Sequence, residues 1–243
     1  MRILALGRLK LQSDTIAGLL EASLARFIHV VPVNAEVFVL AHQNEAYERL
    51  LRRTSNVIDG RILQQLVRLR NLTWEVSRVT GSDGIYEIAA HCAATGEGLF
   101  ILGATAEVNA AACARLRELY RGLAVTGYAP PMSSNLGEGE WSDEALARIG
   151  ACHPTCLGVC LGAPRQEFWI ERHRPTLDAL GVRLGIGLGG TATFVAGGAR
   201  RAPVWIQWLG LEWLFRAIVE PGRWRRTLRM FLMPLYAVLP SMR

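Results

Sequence analysis

Short apolar segments alternate with amphipathic ones along most of the 243-residue chain, and this alternation strongly constrains the fold. Four apolar runs of strand length, each followed by a loop with Gly, Pro or Asn, lie at His29–Val33, Leu99–Leu102, Leu157–Leu161 and Leu184–Leu188. Between them are stretches of helical periodicity, at Ala35–Arg53, Ser82–Thr95, Ala106–Tyr120, Asp143–Cys152 and Arg165–Leu180. Because strands that alternate with helices form parallel sheets covered by helices, the pattern predicts an α/β fold.

Charge is distributed unevenly between the two parts of the chain. Residues 200–243 carry eight arginines and two acidic residues, which gives this segment the whole formal net charge of +6. Residues 1–199 are therefore neutral overall. Such asymmetry predicts a neutral body, residues 1–199, and a basic tail, residues 200–243, that binds an anionic partner.

The composition of the basic tail indicates a membrane surface as that partner. Four of the seven tryptophans fall between Trp205 and Trp224, and apolar residues recur at helical spacing over 204–218. The longest apolar stretch of the tail, 230–240, is interrupted by Pro234 and is too short to span a bilayer. Arginines and aromatics beside an apolar strip are typical of interfacial segments, which favours a phospholipid surface over nucleic acid for residues 221–243. For residues 204–219 a core or oligomer helix is the alternative.

Several classes of protein are excluded by composition. The hydrophobic fraction of 51% excludes a disordered chain. The N-terminus does not have the pattern of a signal peptide, and five cysteines without paired spacing are typical of reduced, cytoplasmic proteins. The Cys152–Cys160 segment, with His153 and Cys156, lacks the second ligand pair of a zinc knuckle. The sequence therefore predicts small buried thiols there and no metal site.

Two segments have polar residues of the kinds that catalysis or ligand binding requires. Asp59-Gly60 follows Asn56-Val57-Ile58, an approach that ends in two apolar residues, so Asp59 is either a general base aimed into a cleft or part of a simple turn. Gly162 and Pro164 predict a tight turn with a helix starting near Arg165. The first amides of that helix, with Arg165 and Gln166, suit a diphosphate or sugar hydroxyls; ordinary first-turn residues on a solvated face are the alternative.

The glycines at 185–190 raise a second hypothesis, a nucleotide-cofactor (NAD-type) oxidoreductase. They lack the G-x-G-x-x-G spacing, and no acidic residue follows about 20 positions later. Residues 129–142 form a long segment without periodicity, which predicts a lid or a connector.

Read together, these segments resemble the WecG/TagA/CpsF glycosyltransferases, glycosyltransferase family 26. Nine matches occur in family order and at family spacing across nearly the whole chain. They are Val33–Glu36, Ile58–Gly60, Arg78–Asp83, Leu99–Gly103, Tyr128–Pro131, Leu161–Glu167, Arg201–Pro203, Gly210–Arg216 and Glu220–Arg223.

The resemblance implies an inverting, metal-independent transferase without a cofactor. Family members move a sugar from a UDP-sugar onto an undecaprenyl-diphosphate-linked saccharide, in the synthesis of teichoic acid linkers and other bacterial surface polysaccharides. The donor sugar is of the N-acetylmannosamine, N-acetylmannosaminuronate or glucose type. By resemblance, residues 1–199 are a Rossmann-like catalytic domain. Residues 200–243 are a helical appendage that docks on the inner face of the cell membrane, so the protein is cytoplasmic and peripherally membrane-bound.

The family motifs also imply roles for individual residues. Asp59 is the general base that deprotonates the acceptor hydroxyl, and Asn34 lies in the pocket near acceptor or sugar. Arg78 and Gln166 contact the diphosphate or donor sugar, while Glu167 supports the turn. The remaining substrate-binding candidates are Gly103, at the end of a matched segment, and the tail arginines Arg216, Arg223 and Arg226, which close over the leaving diphosphate.

The chain departs from the family pattern at two positions. Pro32 stands where the family commonly has threonine, and Thr193 stands where it commonly has aspartate. These departures support a third hypothesis, an inactive membrane-binding scaffold. A homo-oligomer is a further partner that the sequence leaves open.

Overall fold

A computed structural model describes residues 2–70, 76–131, 139–198 and 232–238 of the chain, together with the single positions 203, 206 and 215. Its strands form a mostly parallel eight-stranded sheet with the order β1-β2-β4-β3-β8-β7-β5-β6. The strands are β1 (Arg2–Leu6), β2 (Leu9–Ser13), β3 (Ile28–Val33), β4 (Ser55–Ile58), β5 (Gly98–Gly103), β6 (Ala124–Tyr128), β7 (Cys156–Cys160) and β8 (Leu184–Gly187). Of these, β1 pairs with β2 in antiparallel fashion, as Leu4 with Leu11. The predicted α/β class is confirmed.

Helices occupy most of the connections between strands. They are α1 (Ile16–Ser23), α2 (Ala35–Gln43), α3 (Glu45–Leu51), α4 (Arg61–Arg70), α5 (Gly81–Thr95), α6 (Ala106–Leu119), α7 (Glu140–Cys152), α8 (Arg165–Arg172), α9 (Arg174–Ala179), α10 (Thr191–Val195) and α11 (Met233–Val238). None of the helices in the described part of the chain is long and apolar enough to cross a membrane.

Two of the predicted helices are each divided in the structure. The segment predicted as Ala35–Arg53 breaks at Asn44, whose side chain accepts a hydrogen bond from the Tyr47 N–H at 3.0 Å and so starts a new helix. The segment predicted as Arg165–Leu180 divides at His173. The apolar residues keep a helical spacing across both breaks. Hydrophobic periodicity in the sequence therefore did not reveal the breaks.

The predicted loop of residues 129–142 is shorter than expected at its C-terminal end. Helix α7 begins at Glu140, three residues before the predicted start at Asp143. Its residue Ser142 is buried and accepts a hydrogen bond from the Trp169 indole at 2.9 Å, so the first turn belongs to the packed core. Residues 132–138 of the segment predicted as a lid or a connector lie outside the described residues.

The chain divides into two compact units that are discontinuous in sequence. The first contains residues 1–14, 33–78 and 200–243, and the second contains residues 15–32 and 79–199. The predicted division into a catalytic domain of residues 1–199 and an appendage of residues 200–243 stays a prediction.

In the first unit, the C-terminal helix α11 packs against α2. The ring of Tyr236 stacks on His42 with 5.2 Å between ring centroids, and Met233 is fully buried. His42 Nε2 in turn accepts a hydrogen bond from the Arg8 backbone N–H at 3.0 Å. Gly7 has a positive φ of 55°, and a Cβ there would lie 2.5 Å from His42 Nε2 and 2.7 Å from the Tyr236 carbonyl oxygen. Only glycine therefore fits between β1, α2 and α11.

In the second unit, a large hydrophobic core lies between the sheet and helices α7, α8 and α9. Trp169 is fully buried there, and its indole N–H is satisfied by Ser142. The core residues are Phe27, Phe100, Leu102, Ala145, Ile149, Leu157, Val159, Trp169, Ile170, Leu177 and Val182. This core holds α8 against the sheet.

A buried imidazole connects β3 to α8 in the same unit. His29, only 1% exposed, contacts Glu171 with 2.7 Å between Nδ1 and Oε1, and Arg174 holds the same carboxylate with 2.5 Å between Nη2 and Oε1. Burial lowers the pKa of His29. Burial alone would raise the pKa of Glu171, but the hydrogen bonds from His29 and Arg174 lower it to about 2. Because His29 Nε2 is buried with no hydrogen-bond partner among the described residues, a neutral ring with the proton on Nδ1 is the favoured form.

The buried group of His29, Glu171 and Arg174 predicts that acid lowers the free energy of unfolding in two stages. The unfolded chain binds a proton at His29 below a pH of about 6.5, whereas the folded chain resists it, so the free energy of unfolding decreases as the pH falls below that value. The contribution of ionised Glu171 is lost at lower pH, as the pH falls from about 4.5 toward 2.

The replacement His29→Asn keeps an N–H donor for Glu171 but does not titrate. We expect it to flatten the pH dependence of unfolding between about 6.5 and 4.5 while leaving the lower stage, measured by denaturant unfolding at each pH. His153→Asn, at an exposed position with a positive φ of 45° that asparagine tolerates, is the matched control. Equal slopes in wild type and His29→Asn would contradict the assignment.

Candidate active site

In the first unit, Asp59 lies directly after strand β4. Its backbone N–H donates to the carbonyl oxygen of Val33 at 2.9 Å, which places Asp59 beside the last residue of β3. Gly60 follows with a φ of 81°, and no atom lies within 4 Å of the position that its Cβ would take. The glycine is therefore required by backbone conformation, which turns the chain into α4. The Asp59 residue is partly exposed at this turn.

Asn34 begins α2 at the end of the neighbouring strand β3. Its Oδ1 accepts a hydrogen bond from the Val37 N–H at 3.0 Å, so the residue is the N-cap of the helix. The cap uses the carbonyl end of the side chain and leaves the amide end as the donor that can reach a ligand. Since Asp59 is hydrogen-bonded to Val33, the first unit places Asn34 and Asp59 at adjacent strand ends.

The backbone that precedes Arg78 is hydrogen-bonded to other residues of the first unit. The Ser77 N–H donates to Ser13 Oγ at 2.9 Å, and the Val76 carbonyl accepts from Gln64 Nε2 at 2.8 Å. These bonds hold the backbone before Arg78 against the end of β2 and the second turn of α4. The Arg78 side chain is exposed. A long cation on a fixed backbone can contact an anionic ligand without being buried itself.

In the second unit, strands β3, β8, β7, β5 and β6 are all parallel, so their carboxyl ends share one edge. At this edge Gly103 closes β5 with a φ of 108°, and a Cβ there would lie 2.7 Å from the Cys160 carbonyl. The next residue, Ala104, donates its N–H to the same Cys160 oxygen at 3.2 Å. The backbones after β5 and β7 therefore approach closely at the edge where ligands of parallel sheets bind.

The turn after β7 has the predicted helix start at Arg165. The peptide bond Ala163–Pro164 is cis, and Gly162 has a φ of 78°. Gln166 and Glu167 are buried, at 4% and 0% exposure, although both are polar. The Gln166 amide donates to Glu167 Oε1 at 2.7 Å and accepts the Gly189 N–H at 3.0 Å, so it connects this turn to the loop after β8.

The packing of Gln166 and Glu167 against β8 explains why this strand contains glycines. A Cβ on Gly187 would lie 2.5 Å from Gln166 Nε2 and 2.8 Å from Glu167 Oε1, and one on Gly185 would lie 3.1 Å from the Phe27 ring. Gly185 and Gly187 are two apart and so face the same side of the strand, where α8 packs. The glycine-rich segment thus allows a helix to pack closely on the sheet, a role that the sequence analysis did not assign to it.

Cys160, the last residue of β7, lies next to this turn and is buried. Burial raises the pKa of its thiol to about 12, so it stays protonated at neutral pH. The three tail arginines predicted to bind substrate, Arg216, Arg223 and Arg226, lie outside the described residues.

Comparison with known proteins decides the family. Residues 4–242 match the model of the glycosyl transferase WecG/TagA/CpsF family, which is nearly the whole chain. The chain belongs to this glycosyltransferase family. The resemblance found in the sequence motifs is thereby confirmed, and the oxidoreductase hypothesis, which depended on the glycines at 185–190, is not retained.

Two similar proteins are N-acetylglucosaminyldiphosphoundecaprenol N-acetyl-beta-D-mannosaminyltransferases. The glycosyltransferase is 29% identical to the one from Bacillus subtilis (strain 168) over 209 residues, which cover 85% of this chain and 76% of the relative. It is 28% identical to the one from Bacillus spizizenii (strain ATCC 23059 / NRRL B-14472 / W23) over 200 residues, which cover 82% and 74%.

The close packing at Gly187 generates a prediction. In Gly187→Ala, the new methyl group has to displace Gln166 or Glu167, because both lie under 3.0 Å from its position. We expect a loss of about 1–3 kcal/mol in the free energy of unfolding, as for other overpacked cores. We also expect a lower rate of sugar transfer, because the turn moves with Gln166.

Gly198→Ala is the matched control, since its nearest neighbour lies at 3.4 Å and the residue is exposed. Thermal unfolding and a transfer assay measure both variants. Wild-type stability and turnover in Gly187→Ala would show that the packing of α8 on β8 does not position the turn.

Proposed function

We propose that this glycosyltransferase transfers a sugar from a UDP-sugar to a saccharide linked to undecaprenyl diphosphate, with inversion at the anomeric carbon. The observation that carries the proposal is the placement of Asp59 beside Asn34 at adjacent strand ends of the first unit, within a chain of this family. The names of the two relatives describe transfer of N-acetylmannosamine to N-acetylglucosaminyl-diphosphoundecaprenol. N-acetylmannosamine is therefore the first donor sugar to test, with its uronic acid and glucose as the others.

The proposed reaction is a single displacement. The Asp59 carboxylate accepts the proton of the acceptor hydroxyl, whose oxygen then forms a bond to the anomeric carbon of the donor. The bond from that carbon to the diphosphate oxygen breaks, and its electron pair leaves with UDP. One carboxylate is sufficient for this chemistry, because the incoming hydroxyl attacks directly and no glycosyl-enzyme is formed. The partial exposure of Asp59 is compatible with access of an acceptor.

The negative charge of the departing UDP requires stabilisation. We assign this to arginines, since guanidinium groups bind diphosphate oxygens in bidentate fashion. Arg78 is exposed on a backbone held by Ser13 and Gln64, and it is one of these arginines. Arg216, Arg223 and Arg226 of the tail supply the rest, in place of a metal ion.

Asn34, Gln166 and Gly103 are proposed to position the substrates. The amide end of Asn34 can donate to a sugar or acceptor hydroxyl while its carbonyl end caps α2. Gln166 is held by Glu167 and Gly189, so its contribution is to fix the turn that bears the first amides of α8. Gly103 lets the backbones after β5 and β7 approach closely, and so shapes the carboxyl edge at which the substrate is proposed to bind.

Asp59→Asn tests the catalytic base. The substitution keeps the size of the side chain but removes the proton acceptor, so we expect transfer to fall by about 10²–10⁴-fold with little change in the thermal midpoint. The acidic limb of the pH–rate profile should also disappear from the residual rate. A radiolabelled UDP-sugar and a short-chain lipid-diphosphate acceptor provide the assay.

Asp178→Asn, at an exposed position on α9, is the control and should match wild type. Near-normal turnover by Asp59→Asn would exclude Asp59 as the base. If wild type itself transfers none of the three donor sugars, the inactive scaffold suggested by Pro32 and Thr193 becomes the better hypothesis.

We further propose that residues 200–243 dock the enzyme on the inner face of the cell membrane. The segment carries all of the net positive charge and four tryptophans, a combination that suits an anionic leaflet. Deleting residues 221–243 would be a poor test, since it removes α11, which packs on His42. Substitution of individual arginines leaves that helix in place.

Arg225→Gln combined with Arg229→Gln tests docking, because neither arginine is among the proposed substrate ligands. Each arginine near an anionic leaflet contributes on the order of 1 kcal/mol, so the double variant should bind anionic vesicles at least about tenfold more weakly. Turnover with a short-chain, water-soluble acceptor should stay at the wild-type level. Co-sedimentation with vesicles of phosphatidylglycerol measures the first effect.

Arg223→Gln with Arg226→Gln is the converse variant, and it should lower turnover even with the soluble acceptor. High salt should weaken vesicle binding of the wild type, since the attraction is screened. Unchanged co-sedimentation of the Arg225/Arg229 variant would argue against docking through the basic tail.

A further inference from the structure

Two cysteines and a glutamate that are distant in sequence meet at the amino edge of the sheet in the second unit. Cys92 lies in the last turns of α5, Glu97 follows the left-handed cap residue Gly96, and Cys156 is the first residue of β7. The two Sγ atoms and a carboxylate oxygen of Glu97 all lie within 4.8 Å of one another. Pairing of β5 with β7, with Leu99 opposite Cys156, produces this proximity.

The carboxylate is oriented by two further side chains. Glu97 Oε2 accepts a hydrogen bond from the Thr155 hydroxyl at 3.0 Å and lies 3.4 Å from His91 Nε2. Carboxylates that bind metal ions are commonly held by such neighbouring donors. The thiols of Cys92 and Cys156 are buried, whereas the Glu97 side chain is 24% exposed, so the cluster is open to solvent on the carboxylate side.

Packing alone does not account for this arrangement. Cys113, another buried cysteine of the same unit, has Asn109 and the cationic Arg117 near its thiol instead of a carboxylate. Cys92 and Cys156 instead face each other and an acidic group. A divalent cation that replaced the two thiol protons would be held by two thiolates and the Glu97 carboxylate.

We propose that Cys92, Cys156 and Glu97 form a binding site for a thiophilic divalent cation, with Zn²⁺ as its physiological occupant and water as the fourth ligand. Tetrahedral Zn²⁺ binds thiolates at about 2.3 Å, which separates two sulfurs by about 3.8 Å and fits a cluster of these dimensions. Binding forms two metal–sulfur bonds and one metal–oxygen bond, and it releases two thiol protons to solvent. Mg²⁺ and Ca²⁺ prefer oxygen ligands and cannot displace those protons.

The site is structural rather than catalytic. It lies at the amino ends of β5 and β7, whereas Gly103 and the turn at Gly162 lie at the carboxyl ends of the same strands. A bound cation would join the end of α5 to the starts of two central strands. It therefore raises the stability of the second unit and takes no part in sugar transfer.

Co²⁺ titration of the full-length, reduced protein tests the proposal. Co²⁺ bound by thiolates in tetrahedral geometry gives an intense charge-transfer absorbance in the near ultraviolet and visible d–d bands. We expect wild type and Cys113→Ser to bind one Co²⁺ per chain with these bands, and Zn²⁺ to displace it. Cys92→Ser and Cys156→Ser should each lose at least about tenfold in affinity.

Wild-type measurements keep the test independent of how the variants fold. Zn²⁺, but not Mg²⁺, should raise the thermal midpoint of wild type, and ¹¹³Cd²⁺ should give a resonance typical of two thiolate ligands. Glu97→Gln, which leaves both thiols in place, should weaken binding of Co²⁺ without abolishing the charge-transfer band. Absence of that band in wild type, or its persistence in both cysteine variants, would overturn the proposal.

Discussion

The packing of α8 on β8 fixes the loops at the carboxyl edge of the sheet in the second unit. Gly185 and Gly187 remove two side chains from one face of the strand, and the space is filled by Phe27, Gln166 and Glu167. Polar side chains at 0–4% exposure are tolerated only because they are hydrogen-bonded to each other and to Gly189. The positions of the loops after β7 and β8 are thus fixed by one buried network.

Much of the fold could be predicted from the sequence, because the central strands are mostly apolar and buried. The runs predicted at residues 29–33, 99–102, 157–161 and 184–188 agree with β3, β5, β7 and β8 to within one residue at each end. Strand β4 was not predicted because its first two residues, Ser55 and Asn56, are polar, and β6 was missed because alternate residues are exposed. The breaks at Asn44 and His173 depend on local hydrogen bonding that hydrophobic periodicity does not record.

Sequence motifs indicated the residues of the candidate site but not how those residues are arranged. Family motifs indicated Asp59, Asn34 and Gln166, yet neither motif nor spacing indicated that Asn34 caps α2 or that Gln166 is buried. The glycines of β8 were read as a weak cofactor signal because a glycine pattern alone does not distinguish a phosphate loop from close packing. The same limit applies to Cys92 and Cys156, whose proximity arises from strand pairing and not from sequence spacing.

The stacking of Tyr236 on His42 changes how the basic segment is to be understood. Helix α11 belongs to the same compact unit as β1 and α2, and Met233 at its start is fully buried. Residues 232–238 of the basic tail are therefore part of a folded unit, so a truncation that removes them exposes the apolar surface that Met233 covers.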